Sequence, residues 1–308
     1  MSGVVAVVIP AFRCEDTISA TLDSVLGQNR KPDRVVIVLD EPNADLEAMC
    51  RAHEIGAEVI VNQVNLGVGA TRNIGYERIQ HLADYFCFLD SDDILHPDFL
   101  QTACSLYEYH PDADAVFGNF LLWHNGTAQE SISTLSPDKS YLLQDALDTY
   151  LSNTGSYLLS FALIRKTSIA ATAVDGKVNI ECLRNNQDFE FICRLFFQGN
   201  IVRLEDRCGW HLKLPASLSS NQARAWHYRS VAAGLLYNWL SSRGADKTLL
   251  CRMRHMEHSA VRKSARLLWE KGDRKQAVLA LLGSIARFQI KSVAQLMVLL
   301  FGMKHRRN

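Results

Sequence analysis

The sequence predicts an α/β fold, in which a mostly parallel sheet is flanked by helices and followed by a helical C-terminal extension. Short β-branched runs alternate with helix-length amphipathic segments over residues 1–123, which is typical of parallel strands joined by helices. Residues 222–308 show helical periodicity alone and are rich in Leu, Ala and Arg. Of the 308 residues, 48% are hydrophobic, which allows a sizeable core and argues against wholesale disorder.

Each element follows from a local pattern. Continuous apolar runs predict buried strands at 4–9, 35–39, 58–61, 85–89 and 115–123. Apolar residues at helical spacing predict helices at 17–28, 44–53, 69–82 and 97–110, the last opened by Pro97. The pattern is less regular beyond 124, where helices are predicted at 141–151 and 188–197 and strands at 157–164, 200–204 and 208–214. The predicted division is 1–221, with halves 1–123 and 124–221, followed by 222–308.

Charge is distributed unevenly along a chain whose formal net charge is zero. Residues 1–221 carry 16 Lys and Arg against 29 Asp and Glu, whereas residues 222–308 carry 17 against 4. This asymmetry indicates an anionic partner for the basic part. The eight Cys form no CxxC pair, so buried reduced thiols are expected rather than a disulfide framework.

Targeting segments are not expected. The first ten residues lack the basic region and cleavage site of a secretory signal. No apolar stretch reaches the ~20 residues that span a bilayer, and the longest C-terminal candidate, 293–303, is too short.

Polar residues gather where the predicted strands end, which is where open α/β sheets bind ligands. The ends of the first four strands read Pro10-Ala11-Phe12-Arg13, Asp40-Glu41, the stretch 65–73, and Asp90-Ser91-Asp92-Asp93. One sheet edge therefore collects carboxylates, arginines and a glycine-rich turn.

The acidic cluster predicts a metal site. Asp90, Asp92 and Asp93 would repel one another unless a cation neutralised them, and oxygen ligands favour Mg²⁺ or Mn²⁺. Such an ion keeps sites for water and phosphate oxygens, so a diphosphate ligand is expected with it. The alternative is that Asp92 or Asp93 caps the helix near Pro97.

The glycine-rich turn favours an anion site. Gly67-Val68-Gly69 resembles part of a dinucleotide fingerprint, but Arg72 stands at the third glycine position, which disfavours a Rossmann dehydrogenase. An arginine in the first turn of a helix suits a diphosphate. The alternative is a plain turn, with Arg72 on a solvated helix face.

Taken together, four ordered motifs resemble the family 2 glycosyltransferases with the GT-A fold, over about the first 120 residues. They are Val7-Val8-Ile9-Pro10-Ala11-Phe12, Asp40-Glu41, Asn65-x-Gly-x-Gly-x-x-Arg-Asn-x-Gly75, and Phe88-Leu89-Asp90-Ser91-Asp92-Asp93 with Pro97 and Leu100. The resemblance implies a catalytic domain over 1–221, with a nucleotide-sugar half (1–123) and an acceptor half (124–221). It implies inverting transfer from a nucleotide sugar, expected to be a UDP-sugar, to an acceptor hydroxyl in the synthesis of a bacterial envelope polysaccharide.

The resemblance also implies residue roles. Asp40 and Glu41 would contact the nucleobase, although Glu41-Pro42-Asn43 replaces the family's usual Asp-Gly-Ser. Further on, Trp210-His211-Leu212-Lys213 with Ser217-Leu218-Ser219 resembles the segment that approaches the diphosphate; an ordinary edge strand is the alternative. The implied donor-binding residues are Pro10, Phe12, Asp40, Glu41, Gly69, Arg72, Asp90, Ser91, Asp92, His211 and Lys213. The implied ligands of Mn²⁺ or Mg²⁺ are Asp92, the foremost, with Asp90 and Asp93.

The catalytic base is expected at Asp188. In this family a Glu-Asp pair opens a helix that ends in Arg, and residues 186–194 match that pattern except that Gln187 replaces the Glu. A carboxylate there would take the proton of the acceptor hydroxyl, with Glu190 as a second candidate. The alternative is an ordinary carboxylate at a helix N-terminus.

The basic arm, 222–308, interleaves cationic residues with tryptophans and tyrosines. Such helices can lie in the interface of an anionic bilayer, and family members often act on lipid-linked acceptors. We therefore expect a cytoplasmic protein, peripheral on the inner face of the cytoplasmic membrane, with a glycan or lipid-linked acceptor. The alternative is a solvated bundle packed on the catalytic domain; nucleic acid is not expected, since no motif for it appears.

The sequence leaves one other function open and disfavours a second. The departures at Glu41 and Gln187 leave open a catalytically impaired member that acts as a binding or assembly subunit. A nucleotidyltransferase would carry its glycine-rich loop directly after the first strand, where Pro10-Ala11-Phe12-Arg13 stands instead.

Overall fold

A computed structural model describes residues 3–123, 131–213 and 221–285 of the chain. The chain divides into two compact units: Met1–Cys182 with Phe191–Leu214, and Leu183–Glu190 with Pro215–Asn308. The division expected at residue 221 stays a prediction.

The first unit is built on one sheet. Its strands are β1 (Val5–Ala11), β2 (Arg34–Leu39), β3 (Glu58–Val61), β4 (Tyr85–Phe88), β5 (Asp93–Leu95), β6 (Ala115–Trp123), β7 (Ser140–Leu142), β8 (Ala162–Arg165) and β9 (Ile201–Leu212). Its helices are α1 (Ile18–Leu26), α2 (Ala44–Ala52), α3 (Val68–Ile79), α4 (Phe99–Tyr109), α5 (Ala146–Ser152), α6 (Lys166–Thr172) and most of α7 (Gln187–Gln198). Three 3₁₀ turns lie at Pro137–Lys139, Thr154–Ser156 and Leu159–Phe161.

The sheet has the order β3-β2-β1-β4-β8-β6-β9-β5, and β7 pairs with β9. The strands β3, β2, β1 and β4 run parallel, as the alternating sequence pattern predicts. The other half is mixed, because β8 is antiparallel to both of its neighbours and β9 is parallel to β6 but antiparallel to β5 and β7. The predicted α/β class with C-terminal helices is confirmed.

Strand β1 lies at the centre of the parallel half. All seven of its residues are buried, because α1 covers one face and α3 the other. The α1 side chains Ile18, Leu22 and Val25 join the same apolar cluster as Val5, Val7 and Ile9 of β1. A strand covered on both faces can offer polar groups to a ligand only at its ends.

Gly75 allows α3 to approach the sheet closely. A Cβ atom at this position would lie 2.4 Å from Val8 Cγ1 and 3.2 Å from Val38 Cγ2. The last glycine of the motif over 65–75 is therefore a packing requirement, and it sets the distance between α3 and strands β1 and β2.

The described part of the second unit is helical beyond residue 221, as predicted. It contains α8 (Gln222–Ser242), α9 (Lys247–Glu270) and α10 (Arg274–Ile285). Asn221 and Asp246 cap α8 and α9, accepting hydrogen bonds from the amides of Arg224 and Leu249. The apolar segment 293–303 and Ser217-Leu218-Ser219 lie outside the described residues.

Basic side chains in this unit lie over aromatic rings. Arg254 lies 3.6 Å from the ring centre of Tyr237, and Lys263 lies 3.9 Å from that of Trp226. These basic side chains therefore also serve packing through cation–π contacts. Over the residues described, no helix has both the length and the apolarity that crossing a membrane requires.

Three local predictions were wrong in part, and one strand was not predicted. Residues 141–151 form β7 and then α5, because Ser140–Leu142 pairs with β9. Residues 157–164 form the 3₁₀ turn Leu159–Phe161 and then β8. The two strands expected at 200–204 and 208–214 are the single strand β9, whose pairing with β6 shifts register. Strand β5 was missed, because its three residues fall within and just after the acidic cluster.

The thiols also differ in part from expectation. Six of the eight Cys are buried, but Cys182 and Cys251 are exposed.

Replacing Gly75 by Ala should destabilise the fold. The added methyl group would overlap Val8 and push α3 away from the sheet, and overpacking of this kind costs about 1–3 kcal/mol. Urea unfolding measures the difference. Gly155→Ala is the matched control, because a Cβ atom there meets nothing within 4 Å; equal effects of the two substitutions would contradict the packing argument.

Candidate functional site

Three strand ends meet at one edge of the sheet. Ala11 of β1 lies opposite Leu39 of β2, and the amide of Asp40 donates to the Ala11 carbonyl at 2.8 Å. On the other side of β1, the amide of Leu89 donates to the Val8 carbonyl at 3.0 Å. The acidic residues that follow β2 and β4 are therefore brought to the same edge, as the sequence predicts.

The Asp40 carboxylate organises the glycine-rich loop. Its Oδ1 accepts hydrogen bonds from the Leu66 amide at 2.8 Å, the Gly67 amide at 3.0 Å and Thr71 Oγ1 at 2.7 Å. Its Oδ2 accepts a second contact from the Gly67 amide at 2.9 Å. The side chain is buried, so these charge-assisted bonds act in a low-dielectric setting. Base contact by Asp40 stays a prediction.

Gly67 makes this arrangement possible. Its φ of 88° lies in the left-handed region, which residues with a Cβ rarely adopt. The backbone can then turn both the Leu66 and Gly67 amides toward Asp40 and start α3 at the next residue. Gly69 follows in the first turn of this helix and is buried.

Arg72 reaches from α3 to the acidic cluster. Its Nη2 lies 2.5 Å from Asp90 Oδ1, and the Arg72 side chain is 2% exposed whereas that of Asp90 is 34% exposed. The Asp90 amide donates to the buried hydroxyl of Ser160 at 3.1 Å. A solvated helix face is therefore wrong for Arg72, and the cation belongs to this edge of the sheet.

Asp92 is the carboxylate of the cluster that has no ion-pair partner among the described residues. Its carboxylate forms no hydrogen bond or ion pair with another residue in the described part of the chain. Burial, followed by the charges of Asp93 and Asp90, raises the pKa of Asp92 to about 7. A group whose ionisation is opposed in this way gains from a nearby cation.

Asp93 and His211 form a pair across two strands. They lie opposite each other in the β5–β9 pairing, and His211 Nδ1 lies 2.7 Å from Asp93 Oδ1. Burial by itself lowers the pKa of His211, but the hydrogen bond and charge of Asp93 outweigh it and raise the pKa to about 8. His211 therefore adds a cation beside Asp90 and Asp92.

The three carboxylates do not assemble as a common ligand set. Over residues 3–123, 131–213 and 221–285, no group of three His, Cys, Asp or Glu side chains is arranged to hold a metal ion. Asp90 is engaged by Arg72 and Asp93 by His211. Asp92 is therefore the carboxylate of this cluster that a divalent ion could engage, and metal binding stays a prediction.

Other predicted donor residues lie at or near the same edge. Pro10 is buried within β1, and Phe12 beyond it is 42% exposed. Glu41 accepts from Arg13 Nε at 3.0 Å. The Ser91 carbonyl accepts from Thr17 Oγ1 at 2.9 Å.

Lys213 follows β9. Its side chain is exposed, and its amide donates to the Trp123 carbonyl at 2.9 Å.

Two residues that sequence reasoning left without a role fix the segment before α7. Asn73 donates through Nδ2 to the Asn179 carbonyl at 2.9 Å and accepts from the Asn179 amide at 2.8 Å. Arg194 is fully buried and donates to the carbonyls of Thr172 and Val178. Both residues stand in sequence motifs, Asn73 in the motif at 65–75 and Arg194 in that at 186–194. The motifs alone do not indicate which backbone groups these side chains bind.

Asp188 lies in the first turn of α7, in the part of that helix that belongs to the second unit. Its neighbour Gln187 is buried and donates to the Leu183 carbonyl at 2.7 Å. Asn186, with φ of 62°, donates to the Ala225 carbonyl at 2.9 Å. Glu190 is fully buried. The base role of Asp188 stays a prediction.

The chain belongs to glycosyl transferase family 2, whose family pattern matches residues 6–169. It is 27% identical to the succinoglycan biosynthesis protein ExoW of Rhizobium meliloti, over 66% of this chain and 66% of that protein. It is 34% identical to the amylovoran biosynthesis glycosyltransferase AmsB of Erwinia amylovora, over 33% of this chain and 35% of that protein. The matches thus span less than two thirds of the length of each of these relatives.

Solved structures share the fold. A crystal structure of S. aureus TarS superposes with a TM-score of 0.63 at 16% identity, covering 96% of this chain and 50% of that one. TarS residues 1–349 in complex with UDP-GlcNAc superpose with a TM-score of 0.61 at 17% identity, covering 96% and 79%. The similarity confirms the GT-A fold that the motifs implied.

Proposed function

We propose that this protein is a glycosyltransferase that moves a sugar from a UDP-sugar to an acceptor hydroxyl, with inversion at the anomeric carbon, in the synthesis of a bacterial polysaccharide. The observation that carries the proposal is the strand-end cluster, in which Arg72 engages Asp90, His211 engages Asp93, and Asp92 has no ion-pair partner among the described residues. Family membership supports the reaction class.

The donor assignment follows from charge. A nucleoside diphosphate is anionic, and Arg72 and His211 offer it two fixed cations beside the amide-rich start of α3. Asp40 and Glu41 are assigned to the nucleobase. UDP is the nucleotide of choice because TarS, which has the same fold, was solved with UDP and with UDP-GlcNAc.

A divalent cation, Mn²⁺ or Mg²⁺, is proposed as the partner of Asp92. When bound, it would neutralise part of the charge that develops on the departing diphosphate. Asp92 would hold this ion, while Asp90 keeps Arg72 in place. Asp93 is no longer needed as a ligand, because His211 engages it.

The acceptor step needs a base, and Asp188 is assigned to it. The acceptor oxygen attacks the anomeric carbon of the donor sugar. The bond between that carbon and the diphosphate oxygen breaks, and UDP leaves with the electron pair. The Asp188 carboxylate takes the proton of the acceptor hydroxyl. A single displacement of this kind inverts the anomeric configuration.

The acceptor class is inferred from relatives. ExoW and AmsB are named for the biosynthesis of succinoglycan and amylovoran. TarP of Staphylococcus aureus, 26% identical over 60% of this chain, is named as a poly(ribitol-phosphate) β-N-acetylglucosaminyltransferase. A growing glycan, free or lipid-linked, is therefore the proposed acceptor.

A panel of nucleotide sugars, assayed by release of the nucleotide, tests the function. We expect turnover of one UDP-sugar, its loss with EDTA and its recovery with Mn²⁺ or Mg²⁺.

Asp92→Asn should lower turnover at least ~100-fold, because a ligand to the ion is lost. Asp188→Asn should lower turnover by a similar factor and leave UDP affinity within about twofold, because the base does not hold the donor.

Asp45→Asn is the control for both substitutions, since Asp45 is an exposed residue in the first turn of α2. Loss of UDP binding in Asp188→Asn would make Asp188 a donor-site residue. UDP binding without turnover of any donor, and without an effect of Asp188→Asn, would favour a binding or assembly subunit.

We also propose that α10 contacts an anionic membrane surface. Leu279 and Leu282 are 52% and 48% exposed and lie three residues apart on one helix face, while Ala277 and Leu281 pack toward Ala265 of α9. Exposed Lys271 and Lys275 lie close by in the sequence. Paired exposed leucines with flanking cations suit the interface of a bilayer that contains acidic lipids.

Sedimentation with phosphatidylglycerol vesicles tests this contact. The double substitution Leu279→Ser with Leu282→Ser should reduce the bound fraction severalfold, because the apolar insertion is removed. Leu82→Ser is the matched control, since Leu82 of the first unit is 46% exposed. Equal binding of the wild type and the double variant would contradict the role of α10.

A further inference from the structure

A carboxylate–imidazole pair lies beside the proposed donor site, and its two residues are 118 positions apart in the sequence. His211 Nδ1 lies 2.7 Å from Asp93 Oδ1, and the Asp93 side chain is 1% exposed whereas that of His211 is 32% exposed. The pair therefore has a buried carboxylate end and a partly open imidazole end.

The pairing of two strands places these two residues opposite each other. Strands β5 and β9 pair antiparallel, with Asp93 opposite His211 and Leu95 opposite Gly209. A Cβ atom at Gly209 would lie 2.1 Å from the Ile94 carbonyl oxygen and 2.6 Å from Phe161 Cε1. Glycine at 209 thus allows the close approach that sets this register.

The imidazole ring is also held by packing. The Phe120 ring meets His211 in an edge-on arrangement, with 5.9 Å between centroids and 79° between planes. Phe120 is in turn stacked on Phe161 at 5.3 Å. The contact with Phe120 and the bond between Nδ1 and Asp93 together restrict the rotation of the ring.

We infer that Asp93 is a positioning residue, which accepts a hydrogen bond from His211 Nδ1 and thereby turns His211 Nε2 toward the donor diphosphate. The two ring nitrogens differ in their partners, and the bond made by one determines what the other can do. This inference rests on the proposed function, in which His211 contacts the diphosphate.

The surroundings of Asp93 favour positioning over metal ligation. The carboxylate is enclosed, one oxygen is engaged by His211, and Oδ2 is buried without a hydrogen-bond partner in the described part of the chain. A buried carboxylate interacts strongly with the nearest hydrogen-bond donor when one of its oxygens has no other partner. Asp92, the next residue along the chain, is the carboxylate left available to an ion.

Nitrogen-15 NMR of histidine-labelled protein tests the hydrogen bond without any ligand. The wild type should show Nδ1 of His211 protonated, with a strongly deshielded proton; His211→Gln assigns the signal by its loss. Asp93→Asn should abolish the deshielded signal, because the amide no longer presents an anionic acceptor. An unprotonated Nδ1 in the wild type would overturn the inference even if Asp93→Asn failed to fold.

UDP binding, measured by calorimetry with Mn²⁺ present, tests the consequence. Asp93→Asn and His211→Gln should each weaken UDP affinity about 10- to 100-fold, as loss of an orienting partner typically does. The double variant should be no weaker than the weaker single variant, because both substitutions break one unit. Asp23→Asn, which removes the carboxylate from an exposed pair with His53, should leave affinity unchanged.

Two outcomes separate this inference from the proposed function. Losses that multiply in the double variant would show that Asp93 acts independently of His211, and would overturn the positioning role. If the wild type did not bind UDP, the proposed donor would be wrong, and the NMR signal alone would decide the assignment of Asp93.

Discussion

The buried carboxylate of Asp40 is the constraint on which the proposed donor site depends. Its hydrogen bonds to the Leu66 and Gly67 amides and to Thr71 hold the glycine-rich loop at the end of β2. Each bond to a buried charge is worth about 1.5–3 kcal/mol. The loop in turn sets the first residue of α3, and with it the position from which Arg72 reaches Asp90. Closing α3 onto the sheet then depends on Gly75.

The charged side chains Arg72, Asp90, His211 and Asp93 form two pairs at this edge, and Asp92 lies beside them. Arg72 is matched to Asp90 and His211 to Asp93, so each cation is oriented before any ligand arrives. Asp92 has no ion-pair partner among the described residues, and burial together with the neighbouring carboxylates opposes its ionisation. A divalent ion and an anionic diphosphate would satisfy both the leftover carboxylate and the open ends of the two cations. Fixed charges of this kind need little rearrangement when the leaving group develops charge.

Much of the parallel half of the fold was predictable from sequence, because its signals are local. Runs such as that in β1 and the helical stripe of α1 need only neighbouring residues to be recognised, and the strand-end rule placed Asp40, Arg72 and Asp90 together. The antiparallel half was not predictable in detail. Strand β5 has three residues, and β7 and β8 exist because of partners far along the chain. The pairing of Asp93 with His211 follows from strand register, and the Asp40 side chain bonds to a loop 26 to 31 residues further along the chain. No short window of sequence contains either contact. Asp188 rests on motif similarity, which is why its role remains a proposal.

A crystal structure of the protein with UDP and Mn²⁺ would test the central claim most directly, namely that the ends of β1, β2 and β4 form a donor site. The account predicts the diphosphate within hydrogen-bond distance of Arg72 or His211, the ion on Asp92, and the uracil beside the Asp40–Glu41 end of β2. A nucleotide bound elsewhere, or an ion held by Asp93 with His211 displaced from it, would contradict the account.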